Sequence, residues 1–231
     1  MLEVRSLTAR YGAVPAVRGA DLELAPGELV ALVGANSAGK TTLLRSIMGL
    51  HGDRVGRIVV DGTDVSHSTA VGAARAGVAI VPQGRRLFHS LSVEEHFGLA
   101  SGRRRGGPIS VADVLEFFPG LARRRSVRAQ ALSGGEQQML AIARAVLVGP
   151  KYVLMDEPTE GLAPFVVESV TRLIEHLPSL GIGVLVSDHG DGDLAARATR
   201  MYVMDRGAVA PHVAAGASAA LVLDIQEGAV Q

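Results

Sequence analysis

The segment Gly34-Ala35-Asn36-Ser37-Ala38-Gly39-Lys40-Thr41 constrains this chain more than any other. It matches the G-x-x-x-x-G-K-[ST] phosphate-binding loop, or P-loop. Its flanks suit the motif. Leu29-Val30-Ala31-Leu32-Val33 before it is a short apolar run that predicts a buried strand. After it, Leu44, Ile47 and Met48 fall on one face of a predicted helix over residues 41–48. Strand, glycine loop and helix together aim free backbone N–H groups and the positive helix end at an anion. In such a loop Lys40 reaches the β- and γ-phosphates and the Thr41 hydroxyl binds Mg²⁺. Lys40 and Lys151 are the only lysines, arginine carrying the rest of the positive charge, so a lysine at this position is not a by-product of composition.

Bulk properties narrow the classes. A chain of 231 residues with 48% hydrophobic residues can bury a sizeable core in one domain, or in a core with an inserted subdomain. Formal net charge is zero, so no general attraction to nucleic acid or anionic lipid is expected. The absence of cysteine excludes disulfides, zinc thiolates and thiol catalysis. Met1 to Arg5 does not read as a signal peptide. The longest weakly apolar stretch, residues 207–223, is mostly Ala and Gly and is broken by Pro211 and His212, so no bilayer span is expected. These features predict a cytosolic chain.

Strands are expected over residues 2–10 and 20–24, and Asp61-Gly62 predicts a hairpin between residues 57–60 and 63–65. These give the N-terminal part antiparallel β character. Residues 68–76 predict a helix, and residues 77–81 a buried strand ended by Pro82-Gln83. From Ser92 to Leu147 strand signals nearly vanish. Helices are expected over 93–100, behind a capping box at Ser92, over 111–118, stopped by Pro119-Gly120, and from Ser133 to Leu147. Arg103-Arg104-Arg105 lies in a predicted loop; it and Arg123-Arg124-Arg125 read as solvated clusters, or as contacts to a partner protein or lipid head groups. Strands return at 152–155, 183–187 and 201–204, with a helix over 165–177.

Tyr152 to Met155 delivers Asp156 and Glu157 at the end of an apolar strand, the pattern of a Walker B segment. Asp156 is placed to bind Mg²⁺ through water. Glu157, pointing differently, is placed to orient or deprotonate an attacking water. The separation of Lys40 from Asp156 is long for a minimal P-loop unit, and the all-helical stretch fills it.

At this point residues 1–207 resemble the ATP-binding subunit of an ATP-binding cassette (ABC) transporter. Leu132-Ser133-Gly134-Gly135-Glu136 resembles that family's LSGGQ signature, with Glu136 where Gln is commonest; Ser133 and Glu136 also fit a helix capping box. The resemblance implies an α/β fold: a P-loop NTPase (RecA-like) core with an antiparallel β subdomain, an inserted helical subdomain near residues 84–150 and a C-terminal tail near 208–231. It implies ATP and Mg²⁺ as ligands. Nucleotide contacts then fall to Tyr11 (an adenine-stacking aromatic, or else a plain surface tyrosine), Gly34, Asn36, Ser37, Ala38, Gly39, Lys40, Thr41, Thr42 and the signature residues Ser133, Gly134, Gly135 and Glu136. Catalysis falls to Glu157, His189 and Gln83, and the metal to Thr41, Gln83 and Asp156. In the family the signature reaches the nucleotide of a partner subunit, so a homodimer or related heterodimer is implied. Permease subunits and, indirectly, a solute-binding protein are implied too, with the chain on the inner face of the cell membrane. Ala163 replaces the family's usual D-loop aspartate.

Val81 to Phe88, Ser92 to Glu95 and Gly161 to Pro164 further resemble the ATPases of branched-chain amino acid importers, with urea and short-amide importers sharing these features. A non-transport ABC ATPase acting in translation or DNA repair, and a nucleotide-gated interaction module with little turnover, are the other classes considered. The first is disfavoured by the lack of tandem cassettes or long coiled-coil inserts, the second by Glu157 together with His189.

Overall fold

The computed structural model describes residues 1–101, 107–189 and 193–212. Arg103 to Gly106 of the expected loop, and the tail beyond His212, lie outside the described residues. In chain order the elements are β1 (Leu2–Tyr11), β2 (Val14–Leu24), β3 (Leu29–Val33), α1 (Lys40–Ile47), β4 (Arg54–Val60), β5 (Thr63–Asp64), α2 (Ala70–Ala76) and β6 (Val78–Val81). Then follow α3 (Val93–Ser101), α4 (Val111–Phe117), α5 (Pro119–Ala122), α6 (Gly134–Leu147), β7 (Tyr152–Asp156), α7 (Pro164–His176), β8 (Gly183–Asp188), α8 (Asp193–Arg197), β9 (Arg200–Asp205) and β10 (Ala208–His212). They build a four-stranded sheet, β2-β1-β4-β5, and a six-stranded sheet, β10-β9-β3-β8-β7-β6.

The first sheet is antiparallel throughout. In the second, the strands from β9 to β6 run parallel and only β10 reverses. Parallel strands covered on both faces read as unbroken apolar runs, and successive side chains alternate between the faces. Leu29, Ala31 and Val33 of β3, Val153 and Met155 of β7, and Val184 and Val186 of β8 join one core with helices α3 to α8. Val30, Leu32, Leu154 and Leu185 join the other, with α1, α2 and the antiparallel sheet. The helix that follows the P-loop and the helix that opens on Ser133 therefore pack on opposite faces of one sheet.

Three local expectations are corrected. The second strand begins at Val14, not near Ala20, because the β1–β2 register shifts three times between Val4 and Arg10 and Gly19 turns left-handed (φ 59°), breaking the alternation there. Pro119 does not simply stop the preceding helix; it sits in the first turn of α5, where its missing N–H costs nothing. The expected tail begins with an edge strand, β10, which tolerates Pro211 because an edge leaves half its N–H groups unpaired. The Asp61-Gly62 hairpin forms as expected, with both residues at positive φ (48° and 81°) as a primed turn requires.

His96 of α3 ties the insert to the segment after Gln83. It is fully buried. Nδ1–H donates to the Ser92 carbonyl (2.8 Å), and Nε2 accepts from the Phe88 N–H (3.2 Å). Both ring nitrogens are used only in the neutral form. Burial pushes the His96 pKa down, opposed by the Ser92 bond. Unfolded chains then bind the extra proton first, so stability falls as pH drops below the free-histidine value of about 6.5, by at most about 1.4 kcal/mol per pH unit. Urea unfolding at about pH 7.5 and about pH 5.5 is expected to show a larger loss for wild type than for His96→Gln. Equal losses contradict it.

Candidate active site

The site gathers at the C-terminal edge of the parallel strands, where open α/β sheets bind ligands. β3 ends at Val33 and the chain enters the P-loop, with the Gly34 N–H donating to the Asp188 carbonyl (3.3 Å). Two glycines are obligatory by contact. A Cβ at Gly34 would lie 2.2 Å from the Met204 carbonyl oxygen, and one at Gly39, already at φ 113°, would lie 2.4 Å from that of Ala16. Ala35, Asn36 and Ser37 form the exposed tip, with Ser37 left-handed at φ 67°. Ala38 and Thr42 are buried and Thr41 is half-buried.

Lys40 opens α1 with its side chain 4% exposed. Its ammonium donates to the carbonyls of Gly34 (2.6 Å) and Ala35 (3.3 Å) and lies 3.3 Å from Glu157 Oε1. At the end of β7, two strands from β3, Asp156 is buried, and its Oδ1 accepts from Ser187 Oγ (2.8 Å), its register partner on β8. The same hydroxyl accepts from the Glu157 N–H (3.0 Å). That bond helps hold Glu157 at φ 48°, a left-handed conformation costing a non-glycine residue about 1–2 kcal/mol. The twist separates the two acids: both line the cleft, Asp156 buried and tied to Ser187, Glu157 turned toward Lys40.

Around Glu157 stand Gln83 Nε2 (3.2 Å) and His189 Nε2 (3.5 Å). Glu160, which sequence reading left out, joins them: it accepts from Gln83 Nε2 at 3.2 Å and lies 3.9 Å from His189 Nε2. Burial and the neighbouring Glu160 push the Glu157 carboxyl up, while Lys40 opposes them. A cleft of about 630 Å³, lined by Gln83, Arg85, Gln138, Asp156, Glu157 and Glu160 among others, opens on the cluster. Hard oxygen donors from Thr41, Gln83 and Asp156 suit Mg²⁺. Ligand atoms of Glu157, Glu160 and His189 also lie within 4.8 Å of one another, but Lys40 already supplies a cation there.

Other expected residues lie apart from this cluster. Ser133 and Glu136 close a reciprocal capping box: the Ser133 N–H donates to Glu136 Oε2 (2.8 Å) and the Glu136 N–H to Ser133 Oγ (3.3 Å). Gly134 abuts the Arg85 guanidinium and Gly135 abuts Val166. Tyr11, half-exposed, packs its ring 4.7 Å from that of His51. Ala163 stands at the N-cap of α7 and offers no side-chain acceptor to its first turn. Ser187 was also missed; its only sequence signal is its place just before Asp188-His189 at a strand end.

This chain belongs to the ATP-binding cassette family: residues 17–160 match the ABC transporter family model. It is 36% identical over 214 residues to the high-affinity branched-chain amino acid transport ATP-binding protein BraG of Pseudomonas aeruginosa, covering 92% of each chain. It is 32% identical over 219 residues to the lipopolysaccharide export system ATP-binding protein LptB of Escherichia coli K12, covering 91% of this chain and 89% of that one. Among solved structures, the ATP-binding subunit of an ABC transporter superposes with TM-score 0.84 at 28% identity, covering 98% of this chain and 99% of that one. A dimeric bacterial ABC transporter cassette superposes with TM-score 0.78 at 26% identity, covering 90% and 96%. The chain is thus an ATP hydrolase, the ATPase subunit of an ABC transporter, and its fold is that of the P-loop NTPase cassettes. Among the described residues no helix is long and apolar enough to cross a membrane.

Ser187 gives this site a stability signature. Ser187→Ala removes the donor to a buried carboxylate oxygen of Asp156 and the acceptor of the Glu157 N–H. Unmet buried groups of this kind cost about 1–3 kcal/mol each, so urea unfolding is expected to show a loss of about 2–6 kcal/mol. An unchanged midpoint contradicts it.

Proposed function

We propose that this chain hydrolyses ATP·Mg²⁺ at a site completed by a second ATPase subunit, and that it powers branched-chain amino acid import through separate permease subunits. The observation that carries the catalytic part is the convergence of Lys40, Gln83 and His189 on Glu157, beside buried Asp156. Arriving phosphates offer Lys40 better acceptors than the Gly34 and Ala35 carbonyls and Glu157. N–H groups of the P-loop and of the first turn of α1, other than those of Gly34 and Ala38, which bond to Asp188 and Ala35, cradle the same oxygens. Tyr11 supplies a face for adenine.

Release of Lys40 leaves the Glu157 carboxylate free to accept a proton from water. The water oxygen attacks the γ-phosphorus, the bond to the bridging oxygen breaks, and ADP and phosphate result. The raised proton affinity of Glu157 suits a general base. His189 contacts the γ-phosphate. Thr41, Gln83 and Asp156 would hold Mg²⁺, which supplies charge neutralisation between the β- and γ-phosphates.

Ser133, Gly134, Gly135 and Glu136 serve the partner's nucleotide. Within one chain Gly134 abuts Arg85 and Gly135 abuts Val166, and α6 packs on the face of the sheet opposite α1. The capped start of α6 leaves backbone N–H groups of the two glycines available to a γ-phosphate. Such a subunit works at the cytoplasmic face of the membrane, as a homodimer or a related heterodimer, with a solute-binding protein supplying the permease.

Likeness to BraG over 92% of each chain supports the amino acid cargo. LptB favours a second reading, an exporter ATPase, at 32% identity. In the source organism, deleting this chain is expected to lower leucine uptake, restored by wild type and not by Lys40→Ala. Unchanged leucine uptake overturns the cargo assignment and leaves the ATPase reading standing.

A further inference from the structure

Glu160 stands at the same cleft as the proposed catalytic groups, and none of the roles assigned above uses it. Its side chain is half-exposed and comes from the loop after β7, three residues beyond Glu157. Gln83 Nε2 lies 3.2 Å from Glu157 Oε2 and 3.2 Å from Glu160 Oε2. A primary amide nitrogen has two donors, and here two carboxylate oxygens lie within reach of it, one for each. An ionised carboxylate only accepts, so the opposite amide orientation would set the Gln83 carbonyl oxygen against two carboxylate oxygens. The pair of acids therefore selects one orientation and turns the Gln83 oxygen away from them.

We propose that Glu160 is a positioning residue: together with Glu157 it takes up both N–H donors of Gln83 and presents the Gln83 carbonyl oxygen to the reaction centre. This rests on the reading of Gln83 as a ligand of metal and water. With Glu160 alone removed, one donor is freed and the amide can rotate between orientations. Groups that orient a ligand from behind typically change activity by about 10-fold or more when lost. Nucleotide affinity is expected to change little, because the P-loop supplies most of the phosphate contacts.

The contact is read first without nucleotide. Side-chain amide ¹⁵N-labelled protein is observed by NMR, and the Gln83 NH₂ pair is identified by its loss in Gln83→Glu. Glu160→Ala is expected to shift that pair and to speed its hydrogen exchange. Glu160→Gln, which keeps one acceptor oxygen, is expected to fall between wild type and Glu160→Ala. Steady-state ATP hydrolysis is then expected to show kcat reduced about 10-fold in Glu160→Ala with KM for ATP within about twofold of wild type, and a smaller fall in Glu160→Gln.

An unmoved Gln83 pair overturns the proposal, whatever kcat does. So does a shifted pair with kcat unchanged, or a fall in kcat matched by a rise in KM. Failure of the wider catalytic reading is distinguishable: Gln83→Glu would then hydrolyse ATP normally, while the amide resonances still report the Glu160 contact.

Discussion

Burial of the six-stranded sheet on both faces is the constraint from which the rest of the arrangement follows. Because side chains alternate along each strand, odd residues of β3 commit to the helices from α3 to α8 and even residues to α1, α2 and the antiparallel sheet. Parallel strands also end on one edge. Gly34, Gln83, Glu157 and His189, far apart in the chain, are delivered within one to two residues of the ends of β3, β6, β7 and β8. A site built this way needs no long-range loop to assemble it, since strand register sets the spacing.

Charge at that edge is poised rather than neutral. Lys40 is nearly buried and faces a carboxylate that is also nearly buried. Removing one member of such a pair costs about 3–5 kcal/mol, because the other charge is left desolvated. In the proposed mechanism, exchange of Glu157 for phosphate oxygens would keep Lys40 paired throughout. Glu157, in contrast, would lose its cation there and keep Glu160 beside it, which favours proton uptake when a base is needed. Ser187 fixes the two acids relative to each other, so Asp156 and Glu157 hold different orientations though adjacent in sequence.

Motifs and apolar runs made the P-loop, the Walker B strand, the signature helix and the primed hairpin legible before any coordinates. What those signals share is locality: each is a spacing within about a dozen residues. Glu160 and Ser187 carried no such signal, because their meaning comes from partners more than two dozen residues away, Gln83 and Asp156. β2 was read short because bulges interrupt its alternation, and β10 was unread because alanines and a proline carry little strand propensity. Pro119 was read as a terminator and is also an initiator: α4 ends just before it and α5 opens on it, and only the following turn reveals the second role.

In the proposed dimer, one chain's Lys40 and another chain's Ser133 make a single ATP site. Mixing Lys40→Ala with Ser133→Arg protomers and measuring ATP hydrolysis tests that shared site. Each variant alone carries a lesion in both sites of its dimer. In the mixed dimer both lesions fall in one site and the other site is intact, so hydrolysis is expected to return. Mixed dimers that form and bind ATP yet remain inactive, while a linked wild-type/Lys40→Ala dimer turns over, would contradict the shared site.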